Sequence, residues 1–195
     1  MPMMMRGAPL ALAGLCALAA AAPALASGLV PPERLTLKNV DYVLEPASQR
    51  SGHGPWRYVS EDGQESGPWT TEIVLSYQRG TVSTPQAQAA LLRAGKGQEA
   101  PPGRLLDVQA DPQHAYWAYL DEPAAGEQSH YLSGGGKSFH LARCQGVVRY
   151  EFRSHHPMAW VPDERQRAQL RQAFETEGQR IIEALRRNDW RPVCE

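Results

Sequence analysis

The chain has 195 residues, 20 basic and 21 acidic, for a formal net charge of −1. That balance excludes the basic surface that nucleic-acid recognition needs. No stretch gathers enough Lys and Arg to grip a polyanion or an anionic membrane.

The first 26 residues read as an export signal. Arg6 supplies a small positive start, residues 10–22 an apolar core too short to span a bilayer, and Ala24-Leu25-Ala26 an A-x-A processing site before Ser27. Taking 26 from 195 leaves 169 residues, and with Arg6 gone 19 basic residues face 21 acidic ones, a net charge of −2. The sequence therefore predicts one domain over 27–195, periplasmic or secreted, with no transmembrane segment after Ser27. The rival is lipid attachment at Cys16, but Leu15 stands where a lipobox needs a small residue.

In chain order, residues 35–45 alternate as a strand whose pattern breaks at Asn39, which predicts a bulge there. Gly54-Pro55-Trp56 recurs as Gly67-Pro68-Trp69, so the two copies are expected to open two neighbouring strands, with Asp62-Gly63 as the turn between them. Ile73, Leu75 and Tyr77 share one face of the second. Thr84 as N-cap, Pro85 and Gly95 bracket a short helix with an expected stripe of Ala87, Leu91 and Ala94. Strands over 104–109 and 114–120 flank an Asp111-Pro112 turn.

Residues 128–154 read as three strands separated by Gly134-Gly135-Gly136 and by Gln145-Gly146. A two-residue turn at Gln145-Gly146 pairs Leu141 with Tyr150, His140 with Glu151 and Phe139 with Phe152. Phe139, Leu141, Val148, Tyr150 and Phe152 then share one face, and His140, Arg149, Glu151 and Arg153 the other. A long helix over 164–188 follows, with Asp163 as N-cap and Gln166 completing a capping box. Gly178 on its buried stripe predicts a close crossing over the sheet. The whole reads as a single α+β domain: an antiparallel sheet of about six or seven strands, packed on one face by the long C-terminal helix.

Export removes Cys16 and leaves Cys144 and Cys194, which an oxidising compartment is expected to join as a disulfide pinning the tail to the sheet. Gly136-Lys137-Ser138 is not a phosphate cradle, because Tyr131 stands where the motif needs glycine and a strand follows where it needs a helix. If the triple glycine is a three-residue hairpin loop, His130 faces His140, which faces Glu151. This row of two histidines and a carboxylate could hold zinc or another divalent metal in a hydrolase. There is no G-x-S-x-G elbow for serine chemistry. Trp56 and Trp69 at strand entries are a candidate partner surface.

The leading reading is an exported, soluble, non-enzymatic protein that needs no cofactor and binds a protein partner or an envelope component. The alternatives are a metal-dependent hydrolase built on His130, His140 and Glu151, and an inhibitory or immunity-type module.

Overall fold

Period-2 alternation of apolar residues makes strands the main element among the described residues, and the two longer helices lie on opposite faces of one sheet. The computed structural model describes residues 28–49, 54–60, 70–80, 83–95, 100–123, 130–142, 145–158 and 161–194. The expected export signal over 1–26 and the Asp62-Gly63 turn lie outside them. The elements are β1 (Leu29–Val30), β2 (Arg34–Leu37), β3 (Val40–Leu44), α1 (Pro46–Gln49), β4 (Trp56–Ser60), β5 (Thr70–Arg79), α2 (Pro85–Arg93), β6 (Arg104–Ala110), β7 (His114–Asp121), β8 (His130–Leu141), β9 (Gly146–Pro157), α3 (Glu164–Arg187) and β10 (Val193–Cys194). Eight strands form one antiparallel sheet in the order β2-β3-β4-β5-β9-β8-β7-β6. β1 and β10 make a second, two-stranded sheet that joins the two ends of the described chain. The α+β class and the terminal helix are as expected, with eight strands in the main sheet.

One extra strand comes from the break at Asn39. It is not a bulge but a hairpin turn: Lys38 and Asn39 both have positive φ, at 53° and 64°, and Leu37 pairs with Val40. Two consecutive residues in that region are what a two-residue turn needs, and Asn tolerates it.

The triple glycine is the larger correction. It is not a loop but the middle of β8, one continuous strand running from His130 to Leu141. The reason is steric. A Cβ on Gly136 would sit 2.2 Å from the Trp117 ring and one on Gly134 would sit 2.6 Å from the Tyr119 ring, both on β7, so those rings lie across β8 where side chains would otherwise stand. On the other face a Cβ on Gly135 would sit 2.7 Å from Ile181 of α3. The glycines let aromatic rings cover one side of the strand and a helix press on the other.

The β8–β9 register differs from the expected one by four residues: Leu141 pairs with Gly146, Phe139 with Val148, and Gly135 with Phe152. Because four is even, every side chain keeps its predicted face. Phe139, Val148, Tyr150 and Phe152 lie in the core on the α3 side, with Leu141 packed against it.

α3 begins at a complete capping box of Asp163 and Gln166 and buries Phe174, Gly178, Ile181, Ile182 and Leu185. Gly178 marks the close crossing: a Cβ there would lie 3.2 Å from Ala118 Cβ and 3.3 Å from Leu106. The chain ends add Leu29, Trp190 and Cys194 to this core.

α2 packs on the opposite face, against β6, β7 and β8. Thr84 caps it and Pro85 opens it as expected, but its buried stripe is Pro85, Ala89 and Leu92 with Gln88, while Leu91 points to solvent. Leu92 is the residue that fits under the two rings crossing β8, joining Trp117 and Tyr119 in a second core cluster. Among the described residues no helix is long and apolar enough to cross a membrane.

Candidate functional site

On the α2 face of the sheet, beyond the helix itself, the strands β9, β5 and β4 carry a ladder of charge. Glu151 on β9 accepts hydrogen bonds from the Tyr119 hydroxyl at 2.9 Å and from Arg153 Nε at 2.8 Å. Tyr119 reaches Glu151 from β7 because Gly134 leaves β8 bare beneath its ring. Arg153 also lies 3.8 Å from Glu72 on β5. Glu72 in turn accepts from Arg57 on β4 and lies 3.6 Å from His155. Arg57 closes the row on Glu45 at 3.4 Å. Arg149 stacks over the Trp117 ring at 4.8 Å and lies 3.9 Å from Glu151.

The exposures in this ladder are unequal. The side chains of Glu72 and Glu151 are 7% and 9% exposed, whereas those of Arg57, Arg153 and His155 are 43%, 31% and 32% exposed. The carboxylates are the buried layer and the guanidinium groups the outer one. Each carboxylate is paired with arginine.

A different cluster sits where the C-terminal tail crosses the ends of β7 and β8. Lys137, in the middle of β8, is 2% exposed, an uncommon place for a lysine. Its Nζ donates to the Asn188 carbonyl at 2.7 Å and to Asn188 Oδ1 at 3.2 Å, and lies over the Phe139 and Tyr150 rings at 4.9 and 5.8 Å. It caps the C-terminal end of α3, where a cation meets the negative end of the helix dipole. Burial pushes its pKa down to about 8. Beside it, Arg191 Nη1 donates to His114 Nε2 at 3.1 Å. Arginine only donates, so His114 accepts there as a neutral ring, with its Nδ1 toward Asp111 at 3.6 Å. Burial lowers the His114 pKa, against the opposing pull of Asp111.

The residues singled out from sequence fare unevenly. His130 and His140 share a face but stand at opposite ends of one strand, ten residues and roughly 30 Å apart. Glu151 pairs with Gly136, and His140 with Val147. The expected metal row does not form, because it required the triple glycine to be a turn. His130 instead lies against His155, ring centroids 5.7 Å apart. No group of three metal-ligating side chains converges among the described residues. Trp56 is no partner surface: it is 2% exposed and part of the main core, while Trp69 lies outside the described residues. Cys144 lies outside them too, so its pairing with Cys194 is not described.

Two Ser–His contacts arise that sequence reasoning did not find, one of them between Ser138 Oγ and His140 Nε2 at 3.0 Å. In the other, Ser133 Oγ lies 2.7 Å from His156 Nε2, beneath an edge contact between His156 and Phe174 at 4.9 Å. Ser133 is buried, so the pair ties β8 to β9 rather than offering a nucleophile.

No family model, no curated protein and no solved structure matches this chain.

Proposed function

We propose that this chain is an exported, non-enzymatic binding protein, delivered to the periplasm or secreted by a cleaved signal over residues 1–26, and that it docks a protein partner bearing carboxylates on the open face of β4, β5 and β9. One observation carries the reading. Buried Glu72 and Glu151 hold the outward guanidinium groups of Arg57 and Arg153 in place, and arginines ordered in advance lose little entropy when a partner pairs with them. A mixed-charge surface of this kind suits a protein better than a polyanion, whose neutralisation needs many unpaired cations.

A disulfide between Cys144 and Cys194 belongs to the same reading, since it needs an oxidising compartment. Its support is that Cys194 does not stand as a free thiol, and that Cys194 and Leu141, three residues before Cys144, pack against the same core.

The test places a photo-crosslinking residue at Val74, on the open face, or at exposed Val161 in the producing cells. The reading requires a discrete protein adduct at Val74 and none at Val161, with the Val74 adduct lost in Arg57→Gln. Equal adducts at both positions, or adducts only to lipid or glycan, would refute it. Sequencing of the processed N-terminus tests export on its own: it must begin at Ser27.

A further inference from the structure

We propose that the cleft at the ends of β7 and β8, closed by the C-terminal tail, binds a small monocarboxylate with an apolar body. The cleft is a cavity of about 400 Å³, within the range of small-molecule sites. Pro85 of α2 with Phe139 and Leu141 of β8 supply apolar wall, while His114, His140 and Arg191 supply its polar groups. That combination, mostly apolar lining with a few convergent polar atoms, is what a ligand with one charged end recognises.

Arg191 is the anchor. It is exposed, and no described carboxylate lies within ion-pair distance of it, unlike the paired arginines of the sheet face. Its guanidinium is nonetheless held, because Nη1 donates to His114 Nε2 at 3.1 Å. The remaining N–H groups of a planar fork fixed in this way match the two oxygens of a carboxylate. His114 is a positioning residue in this arrangement: it orients the fork and stays neutral to do so.

The charge around the cleft agrees. Asp111, in the turn before β7, already accepts the backbone N–H groups of Gln113 and His114 at 2.7 and 2.8 Å. Lys137 on β8 and Arg191 on the tail act on His114 as positive charges, set against the negative charge of Asp111. A dianionic phosphate would meet one guanidinium against apolar walls, which favours a singly charged acid.

The test is calorimetric titration of the purified protein at pH 7.5 with phenylacetate and hexanoate, and with phenylacetamide as the uncharged counterpart. The site requires saturable one-to-one binding of both acids, at least about tenfold tighter than the amide. Arg191→Gln should weaken both acids at least about tenfold in protein that still unfolds cooperatively on heating. Arg191→Lys, which keeps the charge and loses the fork, should fall between them. Arg57→Gln should leave acid binding unaltered, which separates this site from the docking face. No saturable heat with either acid up to about 10 mM, equal binding of the amide, indifference to Arg191→Gln, or loss in Arg57→Gln would each overturn the proposal.

Discussion

Replacing Gly135 with alanine discriminates a strand from a loop by the sign of its effect. In a flexible hairpin loop the change would be neutral or stabilising by about 0.4–1 kcal/mol, because alanine restricts the unfolded chain. In the strand described here the new Cβ would sit 2.6 Å from the Trp117 carbonyl oxygen and 2.7 Å from Ile181 Cγ2, where ordinary contact needs roughly 3.5–4.0 Å. One neighbour is backbone of β7 and the other belongs to the helix that closes the core, so relief requires β7 or α3 to move by about 1 Å in a close-packed interior. Overpacking costs typically 1–3 kcal/mol, and backbone on one side puts Gly135→Ala at the top of that range, about 3 kcal/mol. For a domain of this size that is a fall of about 6–12 °C in melting temperature. Gly28→Ala, whose Cβ meets nothing within 4 Å, is the control and should stay within about 0.5 kcal/mol. Thermal and urea denaturation read both. An unchanged or raised melting temperature for Gly135→Ala would show that the glycine run is not the floor of this sheet.

The remaining predictions concern the buried polar groups. Burial lowers His156 from 6.5 to about 4, so the fold prefers the neutral ring; its contribution is complete above pH 6.5 and is lost as pH falls from there toward 4. Discounted for partial exposure, this amounts to about 1–2 kcal/mol, and a stability gap between wild type and His156→Gln that does not shrink from pH 7 to pH 4.5 would contradict it. Lys137 is lowered from 10.5 to about 8, so stability should rise between pH 8 and about 10, a rise absent in Lys137→Met under urea denaturation. Above about pH 10 the trend should reverse, because burial raises Tyr58, Tyr119 and Tyr150, and Tyr116 to about 12, so the fold keeps phenol protons that the unfolded chain gives up. Tyr119→Phe removes a buried donor to Glu151 and should cost about 1–2 kcal/mol by denaturation. Non-reducing peptide mapping of exported protein should link Cys144 to Cys194, and reduction should cost up to about 4 kcal/mol; two free thiols would sink that bond.

Much of the fold was legible because it rests on periodicity. The faces of β5, the caps of α2 and α3, and the close crossing at Gly178 follow from local spacing, and each is present. The slipped β8–β9 register and the missing metal row share one cause, a glycine run that reads as punctuation. Three consecutive glycines mark a turn only if nothing large needs their space, and the residues that need it, Trp117, Tyr119 and Ile181, are 15 to 46 positions away in sequence. Nothing local announces them. A hint was present in β7, where Tyr116, Trp117 and Tyr119 cluster in an eight-residue strand: side chains that large on a strand flanked by others require small partners somewhere, and the glycine run is where the chain supplies them.

The same displacement explains why face survived and site did not. Amphipathic faces depend only on parity, so a four-residue slip of β9 against β8 left Phe139, Tyr150 and Phe152 in the core. A site depends on the register itself. Under the expected pairing Glu151 faced His140; in the structure it faces Gly136, and the space above that glycine and Gly134 is what admits the Trp117 ring and the Tyr119 hydroxyl to β9. The glycine run thus converts a supposed metal ligand into the anchor of an ion-pair ladder, with Glu151 fixed by Tyr119 and Arg153. A metal site asks its carboxylate to keep an oxygen free for the ion, whereas the ladder uses that carboxylate to hold arginines outward. On the proposed docking reading, a change at Arg57 or Arg153 should weaken the adduct at Val74, where loss of His130 should not.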